Sequence, residues 1–409
     1  MTDLSELAGR AAPGQQTSAT VAPLVDGLIL TPLHSLEPGG VERVARRLAQ
    51  EWHHAGENVL LSLGRPAGLD EVGGDVAPHR LLGRWGERWR AYETFWMLFT
   101  LPWTLLRQRP AILFCAGNTY TVVAAFMKLF LGRWCPPIVV KISNDLTRPD
   151  LSPRARWWYD VWLRLQGRML DHFVGLAEPM RGELERELHV PPTRVSIVPD
   201  PILTHEEFNE LAALSPAPVA EGRHFVAIGR LVDQKNYALL IDAFHRLNDE
   251  RARLTIYGDG PERDALARQI ETMELTGRVR LAGHVDSHRT MLRDAHALVM
   301  SSRYEGLPAV VIEALAAGRP VITTDCCVSL RAIVGQAGIG LVVPQHADAL
   351  ATALEGFDPA AFSPRRARQV AAEFALEVGA HRYLNLFAAM LAARHSRTAG
   401  VRPLAVSAH

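Results

Sequence analysis

"SSRYEGLPAVVIEALAAG", Ser301–Gly318, is the stretch on which the fold turns, because it joins the end of one element to a buried helix and puts a carboxylate at each. The run leading into it, "HALVMSS", has the apolar centre "ALVM", as in a strand covered on both faces. Pro308 suits a first helical position and Gly318 a stop. Glu305 then falls in the loop and Glu313 in the second turn of an alanine-rich helix. An ionised carboxylate in such surroundings is costly unless paired. On a helical wheel Ala316 and Ala317 flank Glu313 and leave room beside it, while Val310, Val311, Ala314 and Leu315 face the core. A diol such as a nucleotide ribose offers two O–H donors to such an acceptor. The free N–H groups at the helix start favour a phosphate, and their dipole also favours the Glu305 carboxylate. Alone, Glu313 fits a structural arginine partner equally well, and Glu305 an N-terminal helix charge.

Outward from that stretch, short β-rich runs alternate with helical patterns, the signature of parallel α/β layers. In the second half "HFVAIGRL", "ARLTIYG", "RVRLAGHV", "HALVMSS", "PVITTD" and "GLVVP" read as strands. Helices are expected from near Tyr237, Pro261, Ser287, Ala309, Ser329 and Ala347. In the first half "DGLILTPL", "NVLLSLG", "AILFCAG", "PPIVVKIS", "DHFVGLA" and "RVSIVP" do the same, and "VERVARRLAQEW" sets Val41, Val44, Ala45, Leu48, Ala49 and Trp52 on one helical face. Between the halves "VPDPILTHEEFNELAALSPAPVAEG" reads as a junction. The expected organisation is a disordered leader (1–22), an N-terminal Rossmann-like domain (23–200), a second such domain (201–377), a helix over 378–397 and a tail (398–409). Ligands in such folds bind at the carboxyl ends of the strands.

Two cations mark one such end. In "IGRLVDQKNYALLI", Arg230 follows a strand and Lys235 precedes a helix, the bidentate-plus-point-charge set that suits a diphosphate. Solvated surface charge is their commoner fate. Gly39-Gly40 in "EPGGVERV" allows close backbone approach to a ligand or simply makes a turn. "YGDGP" and "AGHV" mark two more strand ends.

The chain has 409 residues, 48% apolar and 22% charged, with zero formal net charge, so whole-chain electrostatics give no ground for nucleic-acid binding. Its four cysteines lack metal or redox spacing and fit a reducing cytoplasm. The N-terminus has no secretory pattern, and "TFWMLFTLPWTLL" (94–106) is too short to span a bilayer. No metal cluster, aspartate pair or nucleophile elbow is legible, so no metal is expected.

Taken together, Gly39-Gly40, "GRLVDQKN", "YGDGP", "AGHV" and the E-x7-E element Glu305–Glu313, followed by "AAGRPVITTD", resemble the retaining nucleotide-sugar glycosyltransferases of family 4 (group 1). The resemblance runs from Leu24 to about Arg394 and is strongest from Phe225 to Pro344. It implies the GT-B architecture: two facing Rossmann-like, doubly wound domains with a C-terminal helix crossing back to the N-terminal domain. It further implies that Arg230 and Lys235 hold the donor diphosphate with the Gly40 backbone, that Glu313 takes the ribose hydroxyls, and that Glu305 touches the donor sugar. Gly306, Leu307 and Pro308 would line phosphate and sugar, and Gly283, His284 and Val285 would border the base. The donor would be a UDP- or GDP-linked sugar, with no cofactor beyond it. Two departures stand out: "CAGNTY" and "KISNDL" lack the histidine many relatives carry, leaving Asn118, Asn144 or Asp145 as polar substitutes, and "TDCCVSLRAIV" lacks the usual Gly-Gly and acid.

The acceptor side is read from residues 80–133, with eight Lys or Arg against Glu87 and Glu93, interleaved with Trp85, Trp89, Trp96 and Trp103. "RARWWYDVWLRLQGR" (154–168) repeats the theme. This composition fits an interfacial membrane element or two amphipathic helices with their tryptophans in the core. The first reading is favoured, with a glycan or lipid-linked acceptor and peripheral contact at the inner leaflet. A nucleotide-sugar epimerase of related fold, or a silent sugar-nucleotide-binding subunit, are the competing readings.

Overall fold

The computed structural model describes residues 23–37, 39–69, 76–82, 93–147, 151–215, 222–285 and 287–398. The expected leader, Trp85 and Trp89 with their charged neighbours Arg84, Glu87, Arg88 and Arg90, and the tail from 399 lie outside the described residues.

The apolar runs of the first half form a seven-stranded sheet: β1 (Ile29–Leu33), β2 (Val59–Leu63), β3 (His79–Leu81), β4 (Ile112–Cys115), β5 (Ile138–Lys141), β6 (His172–Gly175) and β7 (Val195–Ile197). Its order is β3-β2-β1-β4-β5-β6-β7, with every neighbouring pair parallel. The second half forms a six-stranded parallel sheet of β8 (His224–Ile228), β9 (Arg253–Tyr257), β10 (Val279–Gly283), β11 (Ala297–Met300), β12 (Val321–Thr324) and β13 (Gly340–Val343), in the order β10-β9-β8-β11-β12-β13. Central strands such as β4, β5, β11 and β12 are buried throughout, which is why their sequences run apolar without alternation. Edge strand β3 escaped the sequence reading because it has three residues and exposes His79 and Arg80. In both sheets the order of the strands reverses beside the first strand, between β1 and β4 and between β8 and β11, the switch point that leaves a crevice at the carboxyl edge.

Right-handed crossovers place the helices Glu93–Gln108, Thr121–Leu131 and Pro153–Met169 together on one face of the first sheet, with Gly40–His54 on the other. That second face is completed by the last helix, Leu376–Thr398, which leaves the second domain and packs on Gly40–His54. Trp52 Nε1 donates to the Ala380 carbonyl at 3.0 Å. The rings of Trp52, Phe114, Tyr383 and Phe387 interlock at centroid distances of 5.0 to 6.1 Å, so the end of the chain is part of the first core.

The junction holds a helix the sequence reading passed over, His205–Ala212, capped by Thr204 and Glu207 in a reciprocal capping box. Phe208 and Leu211 seat it in the second core. The chain crosses between domains twice, and the crossings are hydrogen-bonded to each other. Ile202 N–H donates to the Phe374 carbonyl at 2.9 Å and Leu376 N–H to the Leu203 carbonyl at 2.7 Å.

Candidate functional site

A cavity of about 950 Å³ lies where the carboxyl edges of the two sheets face each other. Of the residues singled out in the sequence, Gly39, Gly40, Arg230, Lys235, Glu305, Gly306, Leu307, Pro308 and Glu313 all line it.

The second domain builds its wall from two loops tied together. The 3-10 turn Asp233–Lys235 follows β8, and residues 301–308 follow β11. Arg303 N–H donates to the Gln234 carbonyl at 2.8 Å, Gln234 Nε2 to the Tyr304 carbonyl at 3.0 Å, and Ser301 Oγ to the Lys235 carbonyl at 2.9 Å. This lacing sets Lys235 Nζ 2.6 Å from Glu305 Oε1, a charge-assisted hydrogen bond between two largely buried groups. Beneath them Tyr237 has its phenol pushed up by burial first and by the Glu305 charge second. Arg230 is exposed, and its side chain carries no ion-pair or hydrogen-bond partner among the described residues, leaving its guanidinium available to an anion.

Glu313 is 3% exposed, as an isolated acid in a buried helix should not be. Arg43 supplies the counter-charge from across the cleft, with Nη2 3.6 Å from Glu313 Oε1. The helix Ala309–Ala316 begins where expected, but Pro308 takes the cap position, at φ −69° and ψ 122°, rather than the first helical position. The expected room at Ala316 and Ala317 is absent. Both are fully buried in the second core, and the helix lies against Pro364–Ala372. Side chains lean toward the amino end of a helix, and there Ala309 and Val310 line the cavity together with Glu313.

The first domain supplies a helix start. Gly39 caps Gly40–His54 without a side-chain hydrogen bond, and a methyl group built on Gly40 meets nothing within 4 Å. The free N–H groups of a 15-residue helix therefore open onto the cavity. At Gly306 the two domains touch. A Cβ there would stand 2.0 Å from the Ser143 carbonyl oxygen, so only glycine permits this approach. Lys141, at the end of β5, and Asp200 form a buried pair at 2.6 Å on the same wall.

Other expectations divide. Asn144 lines the cavity, but Asn118 instead accepts from Ser143 N–H at 2.8 Å and holds that loop. Asp145 accepts from Val328 N–H at 3.2 Å and braces the opposite domain; burial raises its carboxyl above the ordinary range. Gly283, His284 and Val285 sit at the end of edge strand β10, away from the cavity lining. There Gly258 N–H donates to the Gly283 carbonyl at 2.8 Å, and a Cβ on Gly258 would lie 2.0 Å from the Gly229 oxygen. The glycine of "YGDGP" thus permits close packing of strand ends. Arg43, Lys141 and Asp200 escaped the sequence reading, though a lysine closing the buried run "PPIVVK" was a legible signal.

The tryptophans among the described residues divide between surface and core, and Trp96, raised by the sequence, is 38% exposed. Trp103, Trp134, Trp157 and Trp158 are exposed, whereas Trp162 packs on the first core. No helix among the described residues is long and apolar enough to cross a membrane, and no group of three or more potential metal ligands occurs among them.

Comparison with known proteins follows this geometry. Residues 38–206 match the family model "Glycosyltransferase Family 4" and residues 222–357 the model "Glycosyl transferases group 1". An uncharacterized glycosyltransferase of Methanocaldococcus jannaschii is 40% identical over 111 residues, 27% of each chain. A lipopolysaccharide core biosynthesis glycosyltransferase of Rhizobium meliloti is 39% identical over 99 residues, 24% of this chain and 28% of that one. The matches thus take in only about a quarter of those relatives' lengths. The crystal structure of Anabaena HepE in complex with UDP superposes with a TM-score of 0.68 at 15% identity, covering 88% of this chain and 99% of that one.

Proposed function

This chain belongs to the group 1 glycosyltransferases, with the GT-B fold, and from that premise we propose that it moves a sugar from a nucleoside diphosphate to a glycan or lipid-linked acceptor, with retention, in cell-surface polysaccharide or glycolipid synthesis. One observation carries the reading: Arg230, Lys235, Glu305 and Glu313 converge on a single cavity that faces the uncapped start of helix Gly40–His54.

The chemistry follows from charge. Breaking the anomeric C–O bond builds positive charge on the sugar and negative charge on the departing diphosphate. Arg230, Lys235 and the Gly40 helix start, which line one cavity, would stabilise that negative charge. Glu313 accepts from the ribose hydroxyls and Glu305 from the donor sugar. The acceptor hydroxyl attacks from the face the diphosphate leaves, its oxygen bonds to the anomeric carbon, and its proton passes to the departing phosphate oxygen. The products are the glycosylated acceptor and the nucleoside diphosphate.

The UDP bound by the Anabaena neighbour and the lipopolysaccharide role in the Rhizobium relative's name support a UDP- or GDP-linked donor and a surface-glycan acceptor. The enzyme would work at the cytoplasmic face of the membrane. The test is nucleotide release from a panel of UDP- and GDP-sugars, with and without membrane lipid extract. Release that requires extract is expected. Sugar isomerisation without extract would overturn the reading in favour of an epimerase, whose chemistry gives the aromatic basic flank no role.

A further inference from the structure

The first domain exposes an apolar surface where a water-facing helix layer should be polar. Among the described residues, twelve of the sixteen exposed large hydrophobic side chains fall on Glu93–Gln108, residues 121–134 and Pro153–Met169. Trp103 and Trp134 are each 67% exposed, and Phe130 and Trp158 each 65%. The three helices are neighbours: Thr121–Leu131 packs against Glu93–Gln108 on one side and Pro153–Met169 on the other. Their exposed aromatic side chains therefore gather on three neighbouring helices rather than being scattered singly as on ordinary surfaces.

Charge names the partner. Residues 93–109, 121–134 and 153–169 carry eight Lys or Arg against two acids, Glu93 and Asp160, in a chain whose formal net charge is zero. One of the eight, Lys128, is held by Asp171 at 2.6 Å. A second copy of this chain would bring a like-charged face against this one, which costs energy. An anionic bilayer offers what the face lacks: acyl chains for Trp and Phe, and negative headgroups for Arg.

The geometry points to this three-helix flank as a docking surface for an anionic lipid bilayer. The inference extends the lipid-linked acceptor reading. The helices follow the strands from carboxyl edge to amino edge, so the cleft lies at one end of the docked flank. A cleft so placed is held beside the headgroups, within reach of an acceptor whose lipid stays in the membrane.

The test uses the full chain without donor, so its failure is separate from failure of sugar transfer. Sedimentation with sucrose-loaded phosphatidylcholine vesicles is compared with and without phosphatidylglycerol. Wild-type protein is expected to pellet with the anionic vesicles alone. The triple variant Trp103→Ala, Phe130→Ala, Trp158→Ala should lose about a hundredfold in partitioning, and Arg154→Glu with Arg164→Glu about tenfold. Unchanged melting temperatures show that these exposed substitutions leave the fold intact. Wild-type protein that stays in the supernatant overturns the inference, as does a triple variant that pellets equally well. A wild-type dimer that the triple variant abolishes, without vesicle binding, overturns it in favour of a second copy as occupant.

Discussion

The two domains share one architecture and differ in where their chemistry sits. The second keeps its special residues at strand ends: Arg230 and Lys235 after β8, and Glu305 to Glu313 after β11. The first gives the cavity a bare helix start and a buried Lys141–Asp200 pair, and displays its unusual residues along its flank. A site of fixed charges needs particular residues at particular spacings, whereas a surface needs only composition. That is why one half announces itself by motif and the other by exposure.

The largest expected effect tests whether the domains are separable. Phe387, encoded after the second domain, is fully buried in the first core. Phe387→Ala should therefore destabilise the protein by about 3–5 kcal/mol, with faster hydrogen exchange in β1 and β4 and little change in β8 and β11. Equal loss of protection in both sheets would contradict the division of cores. Next, Lys235→Ala should lower kcat about a hundredfold with a smaller change in KM, because its charge acts on the leaving group. Glu313→Ala should instead raise the donor Kd about tenfold, measured by calorimetry with a nucleotide diphosphate. If the two variants exchange these effects, the assignment of phosphate and ribose ends is reversed.

Smaller still is Arg43→Ala. On the proposed reading Arg43 competes with the ribose for Glu313, so its loss should tighten nucleotide binding by about threefold. Weakened binding would make Arg43 a donor contact rather than a competitor. Last, kcat/KM should be unchanged by EDTA, since the cations aimed at the diphosphate are side chains; a metal requirement would remove that role from Arg230 and Lys235.

Much of this was legible. The helices expected near Tyr237, Ala309 and Ala347 begin at those residues, because strand, turn and helix signals agree there. The helix expected near Pro261 begins at Arg263. His205–Ala212 was hidden by flanking prolines, although T-x-x-E at Thr204–Glu207 marks its start. The cavity residues grouped by motif were readable, but Arg43 was not, since its partner lies a whole domain away in sequence. The space at Ala316 and Ala317 was misread because a helical wheel shows angle and not the neighbouring helix that fills it.

The paired crossings carry a mechanical consequence. Because Ile202 bonds to Phe374 and Leu376 to Leu203, the outgoing and returning chain behave as one two-ply strap. A strap of this kind bends more readily than it twists or slides. The two domains are thus joined through one laced seam rather than through two independent linkers.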